Sequence, residues 1–123
     1  MLYSILIYDM DDAVAAMSKE EDEAIMAKHL AVHEKLAAAG QLGPVVRLKL
    51  SRTAKTYRPR RNAVTDGPFA ETKEQLLGLY VVECPSIDEA VEIARSLPVL
   101  NSTFEVRPIE RYFPGVGLRG PDG

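Results

Sequence analysis

An α+β domain, with two helices laid on one face of a largely antiparallel sheet, is the fold that this sequence predicts. Three observations lead there. Strand-like segments outnumber helical ones, the two helical segments are separated by strands, and each helix opens on its own capping signal. With 123 residues, 46% hydrophobic and 27% charged, the chain makes one domain with a core that needs no disulfide or structural metal.

Leu2–Tyr8 is rich in Ile, Leu and Tyr and nearly continuous in apolar character, which predicts a first strand buried on both faces. The acidic Asp9–Asp12 stretch ends it. Ser18 with Glu21 three residues on is a capping box, and it predicts a long helix from there to Gly40. Ile25, Met26, Leu30, Val32 and Leu36 recur at spacings of three and four, so one broad face of that helix is expected to be buried. Alternation then changes to period two. A strand is predicted near 45–50, with Arg47 and Lys49 on one face and Val46, Leu48 and Leu50 on the other, followed by a hairpin interrupted at Arg58–Arg60 by Pro59.

Asp66-Gly67-Pro68 is a strong turn signal, because Gly accepts positive φ and Asp can bond the backbone two residues on. Leu76–Cys84 follows as a strand. Ser86 and Glu89 form a second capping box, opening a helix through about Leu97 with Ile87, Ala90, Val91 and Ala94 inside, and Pro98 closes it. A last strand is expected at Phe104–Glu110. Residues 1–113 form the domain and 114–123, rich in Gly and Pro, a flexible tail. This order is the ferredoxin-like sandwich. It leaves the second face of the sheet in need of cover, which a homodimer stacking two sheets would provide.

Composition narrows the setting. Cys84 alone excludes an internal disulfide framework, and with no secretory leader the chain is expected in the cytoplasm. The longest nearly apolar run, Leu76–Val82, is far below the ~20 residues of a membrane helix. The formal net charge of -3 hides a division: residues 1–40 carry eight acids and three bases, 41–65 seven bases and no acid, and 66–123 ten acids and five bases. The basic block, Arg47 to Arg61, is either a solvated strand face or a surface that gathers an anionic partner. A pI near 5.4 argues against nucleic acid, although Tyr57 is available for stacking.

Several side chains have chemistry to offer, each beside a plainer role. His29, on the apolar stripe of the long helix, is either an acid/base imidazole or a hydrogen-bonded core histidine. His33, one turn on, shares its face, but no Cys or third His completes a metal set, so no metal and no cofactor are expected. Asp66 could orient a histidine or serve as a base, or it caps its own turn. Glu71 and Lys73 either line a pocket or form an exposed pair. Arg107 could clamp a carboxylate, or it pairs with Glu83 or Glu105. Tyr8, Tyr80 and Tyr112 offer hydroxyls but more often pack, and Cys84 is expected to be an inert thiol.

The run Val64-Thr65-Asp66-Gly67-Pro68-Phe69-Ala70-Glu71-Thr72-Lys73-Glu74, with Gly78 in the following strand and Val106-Arg107-Pro108 near the end, resembles the YCII-related family and specifically its DGPF subgroup. The resemblance covers nearly the whole chain. It implies a dimeric α+β barrel of ferredoxin-like protomers, with a pocket in each between sheet and helix. It also implies that His29 matches a suspected catalytic His on the first long helix. Where those relatives place an Asp after the second helix, this chain has Leu97-Pro98-Val99, which leaves Asp66 as the nearest replacement. The expectation is therefore a cofactor-independent lyase or isomerase, with His29 and Asp66 catalytic and Glu71, Lys73 and Arg107 binding a small anionic substrate. The alternative is a non-catalytic ligand-binding or accessory module, for which the resemblance implies a functional link to a sigma factor.

Overall fold

The computed structural model describes residues 1–98 and 100–120. β1 (Leu2–Asp9) is followed by a short α1 (Asp11–Ala15), the long α2 (Lys19–Ala38) and β2 (Leu42–Arg47). A hairpin of β3 (Lys55–Arg58) and β4 (Ala63–Asp66) precedes β5 (Gln75–Glu83), α3 (Ile87–Ser96) and β6 (Thr103–Pro108). The main sheet has the order β2-β5-β1-β6 and is antiparallel throughout, which is the ferredoxin-like arrangement. β3 and β4 pair only with each other.

β1 is central, but it is not buried on both faces as its composition predicts. Tyr3, Ile5, Ile7 and Asp9 are buried, while Leu2, Ser4, Leu6 and Tyr8 between them stay partly open. The reason is layer count: helices cover one face, and the other has no layer. The covered face carries the core, in which Tyr3, Ile5 and Ile7 meet Tyr80 and Val82 of β5, Leu36 of α2, and Ala90 and Ala94 of α3. Val46, Leu79, Val81, Leu6 and Ser4 share the open face by register.

The first capping signal forms a full box, and the second forms only its Ser86 half among the described residues. Ser18 Oγ accepts from the Glu21 N–H and Glu21 Oε1 accepts from the Ser18 N–H, while Ser86 Oγ accepts from the Glu89 N–H. Gly40, at φ +70, follows the C-cap of α2. The predicted stripe of α2 is narrower in fact, for Leu30 remains 54% exposed. The strand expected at 45–50 lies earlier. It ends at Arg47, so Leu48 and Val46 are substantially exposed, and the parity that faces the helices is Val45 and Arg47. Residues 114–120 of the expected tail are exposed without helix or strand, and 121–123 lie outside the described residues. Among the described residues no helix is long and apolar enough to cross a membrane.

Candidate functional site

α2 crosses the sheet so that two of its side chains, one turn apart, descend on one strand residue. Tyr80 of β5 is 1% exposed, and its hydroxyl lies 2.7 Å from His29 Nδ1 and 2.6 Å from His33 Nε2. The His29 ring lies nearly parallel to the phenol at 25°, while the His33 ring meets it edgewise at 65°. A phenol has one proton. It therefore donates to one imidazole and accepts an N–H from the other. Among the described residues, His29 Nε2 and His33 Nδ1 have no protein hydrogen-bond partner.

Burial pulls the His29 imidazole below its ordinary value, and the positive charge of His33 and Arg47 nearby adds to this. Burial lowers His33 in the same way, and it pushes the Tyr80 hydroxyl up to about 12. The triad at neutral pH is thus two neutral imidazoles around a neutral phenol. It can pass protons without carrying a standing charge.

These side chains line a partly enclosed cavity of about 100 Å³ between α2, α1 and the sheet. Its walls are chiefly apolar, from Ile7, Val14, Ile25, Met26, Val45 and Leu77. Two carboxylates also reach it. Asp9, the last residue of β1, is 2% exposed and accepts from the Met10 N–H at 2.7 Å, the Ser102 hydroxyl at 2.8 Å and the Asn101 N–H at 3.4 Å. Asp22 lies at the start of α2, with its Oδ1 2.8 Å from Arg47 Nη1. That oxygen is shielded from water yet off the line of any N–H, so the contact is an ion pair rather than an aligned hydrogen bond.

The residues singled out in the sequence fall in three places. His29 is in the cavity. Asp66 is not: it sits at the end of β4, exposed, with Lys55 Nζ at 2.7 Å. It shares a separate shallow depression with Glu71, Lys73, Arg52 and Asp12. The structure thus gathers Asp66, Glu71 and Lys73 but keeps them from His29, because the β3–β4 hairpin folds as its own small sheet instead of turning over α2. Arg107 is in neither place. Its guanidinium meets Glu105 at 2.6 Å on the open face of the main sheet. Cys84 is buried, and burial pushes its thiol up.

Residues 1–112 match the YCII-related domain. The chain belongs to the YCII-related family. A protein of Rhizobium meliloti (strain 1021) that is itself uncharacterised is 48% identical over 120 residues, covering 94% of this chain and 97% of its own length. The cavity of this YCII-related chain includes residues that sequence reasoning left out or assigned otherwise. Asp9 has the parity of Ile5 and Ile7 along β1, and that parity was a usable sign that its carboxylate points inward. His29 and His33 at i and i+4 correctly share a face, but they converge on a phenol. Among the described residues no group of three His, Cys, Asp or Glu side chains is placed to hold a metal ion.

Proposed function

We propose that the cavity binds a compact molecule and that His29 moves a proton on it, as in an isomerase or lyase that uses no cofactor. The observation that supports this is the state of His29: Nδ1 is held by Tyr80, Nε2 has no protein partner among the described residues, and the ring belongs to the cavity wall. A neutral imidazole so fixed is a base at one nitrogen with its orientation supplied at the other. A buried carboxylate, Asp9, lies in the same wall, where Asp66 was the expectation from sequence. The volume bounds the substrate, since a cavity of ~150 Å³ already takes benzene.

Charge favours an uncharged, carbonyl-bearing substrate over an anion. Arg47 is the sole Lys or Arg of the cavity wall among the described residues and is already paired with Asp22, while the Asp9 carboxylate would repel a second negative charge. Lys73 and Arg107, the anion binders expected from sequence, lie elsewhere. The test is solvent-deuterium exchange into a panel of compact aldehydes and ketones, followed by ¹H NMR, with His29→Ala as control. Exchange at least 100-fold faster with the unaltered protein is expected. Compounds that raise Tm yet exchange no faster than with His29→Ala would overturn proton transfer and favour the second reading, a binding module, for which the apolar wall speaks.

The open sheet face, with Leu6, Leu79 and Val46, is proposed to stack on a second copy. Light scattering after gel filtration tests this. A mass near twice 13.6 kDa is expected, and a monomer at 100 µM would refute it.

A further inference from the structure

Tyr80 can satisfy its two neighbours in only two ways. When its O–H points at His29 Nδ1, that nitrogen must be bare, so the His29 proton is on Nε2. The phenol oxygen then accepts from His33, whose proton must also be on Nε2. When the O–H points at His33 Nε2, the reverse holds, and both rings carry their proton on Nδ1. Any mixed arrangement leaves two lone pairs facing one proton, or brings two N–H groups to the oxygen and turns the phenol proton away from both rings. Tyr80 is nearly devoid of solvent contact, so such a mismatch has no water to relieve it.

We infer that His29, Tyr80 and His33 form a tautomer-locked proton relay, in which Tyr80 and His33 act as positioning residues that set whether His29 Nε2 is an acceptor or a donor. The relay rests on the proposed acid/base reading of the same cavity for its use, though not for its existence. With both protons on Nδ1, His29 Nε2 is a base. As it takes a proton from the bound molecule, His29 Nδ1–H passes to Tyr80 Oη, Tyr80 Oη–H passes to His33 Nε2, and His33 Nδ1–H passes to water. One proton leaves the bound molecule, whose C–H electron pair passes to its carbonyl oxygen as an enolate, a different proton reaches solvent, and no cation stays behind on the relay. Both rings finish as Nε2–H, and His29 is then a donor. His33 is the appropriate exit, being half-buried with Nδ1 unpartnered among the described residues.

The lock can be read without any substrate. Long-range ¹H–¹⁵N correlation spectra of the uniformly labelled full chain at pH 8 give the fraction of each ring that carries its proton on Nδ1. The expected result is the same fraction in His29 and His33, whatever its value. In His33→Leu, Tyr80 has only His29 to serve, and the Nδ1–H fraction of His29 is expected to fall to zero. Unequal fractions in the unaltered protein, or an Nδ1–H form of His29 that survives in His33→Leu, would overturn the relay. Failure of deuterium exchange with intact tautomer coupling would instead refute the catalytic reading alone.

Discussion

Replacing Tyr80 with Phe removes one oxygen and leaves the ring to fill its space, so the change isolates the hydrogen bonds from the packing. The hydroxyl makes two contacts, at 2.7 and 2.6 Å, one as donor and one as acceptor. Each is worth about 1 kcal/mol net, and the imidazoles are only half-buried, so water can recover part of the loss at their exposed edges. The expected cost of Tyr80→Phe is about 1–2 kcal/mol, measured by urea denaturation at pH 8, where both lowered imidazoles are neutral. In a chain of this size the same loss lowers Tm by about 3–10 °C. A cycle with His33→Leu should show coupling of about 0.5–1 kcal/mol, because that variant already gives up one of the two bonds. A cost below about 0.3 kcal/mol, with no coupling, would refute the geometry on which the site is built.

Other perturbations address its surroundings. Since burial lowers both imidazoles, the unfolded chain, with histidines near ~6.5, binds protons first as pH falls. Stability is therefore expected to fall between pH 7.5 and 5.5, and a Tm that rises towards acid in that window would contradict the shifts. Arg47→Leu should raise the His29 pKa, seen in an NMR titration, because it removes a cation and frees the Asp22 carboxylate; an unchanged or lower value would show that Arg47 is distant in solution. Asp9→Ala should cost about 2–4 kcal/mol in urea, as the Met10 and Asn101 N–H groups and the Ser102 hydroxyl lose their acceptor. Gly78→Ala should cost about 3 kcal/mol, because a Cβ there would overlap the Val46 carbonyl oxygen, and the Leu48 amide bonded to Leu77 should exchange faster; a neutral result would mean that β2 and β5 are farther apart.

The fold was legible because its signals are local. Ser18 with Glu21 and Ser86 with Glu89 mark helix starts within four residues, and the turn at Pro59 and the Gly67 backbone need no distant partner. Strand faces were harder, since β1 and β2 both offer apolar residues on each side. Only the placement of α2 decides that Ile7 is inside and that Val46 remains open. The site was legible one residue at a time. His29 could be named from its helix, but its partner is 51 positions away on a sheet strand, and nothing in the residues around Tyr80 distinguishes it from a packing tyrosine. Asp66 was attractive because it belongs to a recognisable motif, yet motif and cavity are on different parts of the surface.

That separation follows from how β2 joins β5. The two strands are already neighbours, and the Leu48 N–H reaches the Leu77 carbonyl at 2.8 Å, so a tight turn would suffice to connect them. Instead the chain makes an excursion through residues 49–76, carrying most of the basic block and the whole DGPF-like run. Relative to a short turn this is roughly three doublings of loop length, an entropy difference of only about 1.7 kcal/mol. The sheet is thus nearly indifferent to what is spliced in at that point. The stretch by which the sequence is most readily recognised lies outside the main sheet, yet Ser51 anchors it to Asp11 of α1, the helix whose Val14 walls the chamber, so its outer part is free to vary more than its roots.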